Sequence, residues 1–155
     1  MVVLAAGFFV LFIGGGARFA IGLTLRPMVE EFGWDRSQLG VAVAVFQVVS
    51  ATAMFAAGTL ADRISLRLVL GGGLAASGVA IGLMSLIAAP WQAVVLYGCL
   101  FAIGNGAASL TPVGVMVTRA FPGRTGLANA VVTSGMSMGQ LVMIALLAAV
   151  LVTIG

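Results

Sequence analysis

Gly58-Thr59-Leu60-Ala61-Asp62-Arg63-Ile64-Ser65-Leu66-Arg67 is a short charged turn set between two long apolar stretches. It decides the reading of the chain, because almost everything on either side of it is uncharged. Outward from the turn, 62% of the 155 residues are hydrophobic and 7% charged, 22 are glycine, and the mean hydropathy is +1.25. Soluble domains carry about 25% charged residues. Apolar runs of about 20 residues match the length a helix needs to cross a hydrocarbon core of roughly 30 Å. Five such runs are legible, at 2–25, 38–61, 68–89, 91–118 and 127–154. They lack the strict two-residue alternation of membrane strands, and lipid admits only helices or closed barrels, so the expected fold is all-α with about five transmembrane helices and no soluble domain.

The breaks between spans hold nearly all the charge. Residues 27–37 carry Glu30, Glu31, Asp35 and Arg36, with Trp34 as an interfacial anchor; Pro90-Trp91 reads as the tightest turn; residues 119–126 carry Arg119, Pro122, Gly123 and Arg124. Five crossings put Arg63, Arg67, Arg119 and Arg124 on the side of the first residue. The positive-inside rule then places that side, and the amino terminus, in the cytoplasm of a multi-pass inner (plasma) membrane protein. The net charge of +3 and the pI of about 10.6 reflect arginines beside anionic headgroups. These charges are divided among loops, which argues against a nucleic-acid partner. The amino end has no basic residue before its apolar run, so it reads as a spanning helix and not a signal peptide.

The turn at Gly58 to Arg67 resembles the loop between the second and third helices of the major facilitator superfamily, where Gly, three residues, Asp-Arg and a further basic residue recur in that order. Ser65 stands where that loop usually has a second Gly, and Leu68 where another basic residue is common. Two further stretches resemble the bacterial monocarboxylate and oxalate/formate porters. Arg26-Pro27-Met28-Val29-Glu30-Glu31-Phe32-Gly33-Trp34-Asp35-Arg36-Ser37-Gln38-Leu39 is similar to their first outer loop, and Arg119-Ala120-Phe121-Pro122-Gly123-Arg124-Thr125-Gly126-Leu127-Ala128 to their fourth-to-fifth connection. The resemblance implies an incomplete amino-terminal half of a fold of about twelve helices, each half built of inverted three-helix repeats. Its partner would then be the missing carboxy-terminal half. It also implies a gating role for Gly58, Asp62, Arg63 and Arg67: Asp62 meets the positive end of a helix in the other half, while the arginines pair with acids or lipid phosphates. The alternative is a solvated turn held in the cytoplasm by its arginines.

Arg18 is the costliest residue in the chain. Inside an apolar helix an Arg costs about 2.5 to 3.5 kcal/mol on insertion scales. Gly14, Gly15 and Gly22 share its face. Two readings stand: Arg18 projects into a transport cavity, where its planar fork holds a carboxylate, or it snorkels or bonds neighbouring backbone carbonyls. Arg26, at the helix end, reads as an interfacial anchor. In the fifth span Asn129, Thr133, Ser137 and Gln140 recur at intervals of four, four and three, one face of a helix. That stripe faces either substrate or a neighbouring helix through hydrogen bonds. Gly135 and Gly139 behind it, like Gly78 and Gly82 in the third span, form Gly-x-x-x-Gly pairs suited to close helix packing. With only Ser77 and Ser85 as polar residues, the third span reads as peripheral. In the fourth span, Asn105 between Gly104 and Gly106, and Ser109 ahead of Pro112, are either substrate contacts or packing residues. Gln47 reads as a lone polar residue bonded to a neighbour, and Cys99, the single cysteine, as a packing residue.

Enzymatic readings fail on chemistry. Gly135-Met136-Ser137-Met138-Gly139 has the outline of a nucleophile elbow, but the chain contains no histidine and no lysine, so nothing activates the serine. No cofactor, metal or nucleotide site is expected. All four acids lie in loops or at their edges, which leaves no intramembrane carboxylate to couple protons. The fourth span lacks the charge, and the fifth the proline, that mark the drug/proton antiporters to which the superfamily also extends. The expected function is therefore alternating-access secondary transport of a small organic anion such as a monocarboxylate, in a fragment that does not transport alone. The alternatives are a transporter of the same fold for a neutral or cationic solute, and a non-transporting membrane scaffold.

Overall fold

A computed structural model describes the backbone of every residue except Trp34 and Gly155, and the side chains of all but residues 24–29, 31, 32, 34, 36, 39 and 151–155. The expectations placed on Arg26, Glu31, Trp34 and Arg36 fall outside the described side chains. Among the described residues there are helices and no strand: α1 (Val2–Phe32), α2 (Arg36–Leu60), α3 (Leu66–Met84), α4 (Pro90–Ala93), a π-helical segment (Val94–Phe101), α5 (Ala102–Ala107), α6 (Leu110–Ala120) and α7 (Thr125–Ile154). The four segments from Pro90 to Ala120 make one span, so five helices among the described residues are long and apolar enough to cross a membrane.

The helix ends differ from the sequence expectation for local reasons. The first helix runs on to Phe32, well past 25, and stops at Gly33, whose φ of +65° is the left-handed geometry that favours glycine after a helix. Most of the expected 27–37 loop is therefore helical. The second helix starts at Arg36 because Asp35, in extended geometry, caps it by accepting a hydrogen bond from the Ser37 amide at 3.4 Å. The third ends at Met84, short of 89. Ala89 is extended, as a residue before proline must be, and Gln92 Oε1 accepts from the amides of Ala88 (2.8 Å) and Ala89 (3.1 Å). The turn is thus Ser85 to Ala89, and Pro90-Trp91 already belongs to the next helix, with proline at a first-turn position where its missing N–H costs nothing.

The fourth span is interrupted where its sequence is weakest. Pro112 cannot donate to the carbonyl of Ala108, and its ring crowds that carbonyl. The helix breaks there: Ala108 has φ −100° and ψ 29°, and α6 restarts at Leu110 with Pro112 in its first turn.

The chain divides into two compact units, residues 1–26 with 114–155, and residues 27–113. In the second unit, α2, α3 and the fourth span pack around buried Phe46, Tyr97 and Phe101. The Phe46 ring stacks on Tyr97 at 4.7 Å and on Phe101 at 5.9 Å. Tyr97 and Phe101 lie one turn apart on the π-helical segment, 5.8 Å between rings. Close backbone approach completes this packing. A Cβ on Gly73 would lie 2.8 Å from the Gly104 carbonyl oxygen, and one on Gly106 would lie 2.7 Å from that of Ser50.

In the first unit α1 and α7 meet through glycines. A Cβ on Gly135 would lie 2.5 Å from the Phe8 carbonyl oxygen, and one on Gly139 would overlap that of Phe12. Contact positions rise together along both helices, so they run parallel, as first and fifth crossings of one membrane must. The Gly78 and Gly82 pair departs from its expectation: a Cβ at either would meet nothing within 4 Å. The third helix packs instead through Gly73 and buried Ser77, whose Oγ would lie 2.5 Å from a Cβ on Gly104. Gly78 follows Ser77 by one residue, about 100° round the helix, and so misses that interface. Cys99 is half-buried with a free thiol.

Candidate functional site

Hydroxyls inside a spanning helix have no water to bond, so they turn back to their own backbone. Thr52 donates to Val48 O (2.8 Å), Thr118 to Gly114 O (2.8 Å) and Ser134 to Val131 O (2.7 Å). Ser109 does not. Its Oγ is buried without a partner, directly after the helix break, where the backbone geometry of Ala108 has turned the chain out of helical register.

Asn105, one turn before Ser109, is half-buried and already engaged within the chain. The glycines on either side of it are committed to different neighbours: Gly104 to α3 at Gly73 and Ser77, Gly106 to α2 at Ser50 and Ala53. The Gly-Asn-Gly step is therefore a packing device that holds the helix at a fixed rotation. Asn105 is carried at its centre.

Arg18 lies on α1, half-buried and engaged within the chain. Gly15, on its face, is buried against Met136 of α7, whereas a Cβ on Gly22 would meet nothing within 4 Å. Towards Gly15 this face of α1 packs on α7, and at Gly22, which is exposed, it is open. Gly16 approaches the Gly139 backbone, and so does Phe12. At about 1.5 Å per residue these two contacts put Arg18 about 3 to 9 Å beyond the level of Gly139.

That register sorts the polar stripe of α7. Gln140 is half-buried and lies within about a turn or so of the Arg18 level, whereas Asn129, ten residues before Gly139, lies about 18 Å or more away along the axis. One small carboxylate cannot span that distance, so the stripe is not a single binding site with Arg18. Thr133 and Ser137 are exposed and Asn129 half-buried; the buried face of α7 is Ala128, Val132, Gly135 and Gly139. The stripe thus lies beside the packed face. Asn105 and Ser109 belong to the other unit.

At the charged turn the backbone closes tightly, with Asp62 N bonded to Thr59 O (3.3 Å), and Arg63 N and Ile64 N both bonded to Leu60 O (2.9 Å). Ser65 has φ −63° and ψ 128°, a geometry open to any residue, so the turn needs no second glycine. Asp62, Arg63 and Arg67 are exposed, and Asp62 is engaged within the chain. A Cβ on Gly58 would only touch Thr111 Cγ2 at 3.5 Å, ordinary contact. Gln47 is exposed and engaged within the chain.

The unpartnered hydroxyl gives a direct test of the two readings of Ser109. Ser109→Ala removes a buried group that costs about 1 to 3 kcal/mol when unpaired, so thermal unfolding of the purified protein in detergent is expected at an equal or higher temperature. A large loss of stability would show that Ser109 carries a bond needed for packing.

A family model described as Major Facilitator Superfamily matches residues 7–155. No curated protein matches the chain.

Proposed function

The chain belongs to the major facilitator superfamily, a family of transporters rather than enzymes, and from that premise we propose that it carries small organic anions of the monocarboxylate class by alternating access. The observation that supports this reading is Arg18. A guanidinium in a helix long and apolar enough to span a membrane is expensive, and this one shares its helix face with the open surface at Gly22 and lies near the level of the half-buried Gln140 amide along the helix pair. A carboxylate there would take the paired N–H donors of the fork. Gln140 would then supply a neutral donor that favours a small polar anion over a bulky apolar one.

In this reading Asn105 and Ser109 form a second set of polar contacts on the fourth span, and Asn129, Thr133 and Ser137 line the route along α7 without touching the same anion as Arg18. The turn at Gly58 to Arg67 acts at the gate, where Asp62 would meet a helix of a second half of the fold. The excess of arginine at Arg63, Arg67, Arg119 and Arg124 puts that turn and the amino terminus on the cytoplasmic face of the inner (plasma) membrane.

The test is uptake by cells or vesicles expressing the gene that contains this sequence, with labelled lactate or formate set against a neutral sugar and an organic cation of similar size. Uptake of the anions alone, competed by other monocarboxylates, supports the reading. Preference for the neutral or cationic solute overturns the substrate class and leaves the family intact.

A further inference from the structure

A groove of about 310 Å³ runs along the second unit between α2, α3 and the fourth span. Most of its lining is alanine and glycine, including Ala53, Ala57, Gly72 and Gly104, with Val69 and Ile103 beside them and Leu60, Ile64 and Leu68 at one end. Ala53 to Leu60 on α2 and Leu68 to Ala76 on α3 give it a length of about 10 to 12 Å. That is most of one leaflet of a hydrocarbon core about 30 Å thick.

The chemistry changes abruptly at the Ile64 and Leu68 end. Arg63 precedes Ile64 and Arg67 precedes Leu68, and both arginines are exposed. The nearby carboxylate, Asp62, is already engaged. A smooth apolar channel that ends beside two cations complements a molecule with a long apolar tail and an anionic head. A second apolar helix would fill the channel but bring nothing to the arginines.

We propose that this groove is a binding site for an anionic phospholipid, with one acyl chain laid along the channel and the phosphate held by Arg63 and Arg67. The site stands independently of the anion-substrate reading. It needs the second unit to lie in a membrane with this face turned to lipid.

The experiment measures labelled lipid retained per chain after the purified protein is moved from vesicles of phosphatidylglycerol or of phosphatidylcholine into detergent. Phosphatidylglycerol is expected to be retained preferentially. Arg63→Gln and Arg67→Gln should each weaken that retention about fivefold, the effect of one basic side chain near a charged lipid surface. Gly72→Leu fills the channel, since a Cβ there meets nothing within 4 Å, and should abolish retention. Gly78→Leu, equally unobstructed but outside the groove, should leave it unchanged. Inorganic phosphate should not displace the lipid. Equal retention of the two lipids, an equal effect of the two leucines, or displacement by free phosphate would overturn the proposal. So would a dimer that Gly72→Leu disrupts while retention stays the same. Because the exposed arginine variants do not alter packing, they decide the matter even if Gly72→Leu misfolds.

Discussion

Gly139→Leu is expected to unfold the α1 and α7 pairing, while Gly22→Leu, in the same unit, leaves it intact. At Gly139 a Cβ would overlap the Phe12 carbonyl and lie 2.8 Å from its carbonyl carbon and 3.0 Å from its Cα. These are backbone atoms of a regular helix, so no flexible side chain can move aside. Overpacking ordinarily costs about 1 to 3 kcal/mol, and with backbone on both sides the cost should be about 3 kcal/mol or more. Two helices without hydrophobic drive to associate in lipid depend on this close fit. Resistance to unfolding by denaturing detergent would show the loss, and comparable resistance in Gly139→Leu and Gly22→Leu would refute the packing described.

The second large effect is at Arg18. Arg18→Gln is expected to raise the KM for a monocarboxylate about ten- to a hundredfold, the loss of a hydrogen-bonded charge partner worth about 1.5 to 3 kcal/mol. Arg18→Lys should recover part of that loss, because an ammonium keeps the charge and gives up the planar fork. Stability should move the other way: without the charge, α1 sheds part of the insertion cost of about 2.5 to 3.5 kcal/mol that an arginine carries. A variant that is better inserted and worse at uptake separates a binding role from a structural one. Unchanged uptake in Arg18→Gln would remove the basis for an anionic cargo.

Hydropathy and charge placement make the five spans legible in the sequence, because a helix of the right length leaves a continuous apolar run. The ends of the helices were less legible. Asp35 reads as a loop acid until its carboxylate is seen capping α2, and Pro27 reads as a stop although the first helix continues to Phe32. Glycine spacing marked faces without saying which face had a neighbour. Gly135 and Gly139 found one in α1, whereas Gly78 and Gly82, spaced the same way, face open space. Periodicity also joined Asn129 to Gln140 in one stripe, and it is silent on register: only the contacts of Gly16 and Phe12 with Gly139 show that one end of that stripe lies near Arg18 and the other far from it. The buried hydroxyl of Ser109 had a partial signal in Pro112, whose effect on the carbonyl four residues back could have located the break.

The clamping of Gly104 and Gly106 onto separate neighbours has a bearing on how mutational maps of this span should be interpreted. Scanning substitutions will produce three adjacent sensitive positions of which only the middle one carries a functional group. The outer two will fail because bulk there rotates or dislodges Asn105, and they will mimic its loss. Telling them apart requires an isosteric change at the centre, Asn105→Asp or Asn105→Leu, with both glycines kept.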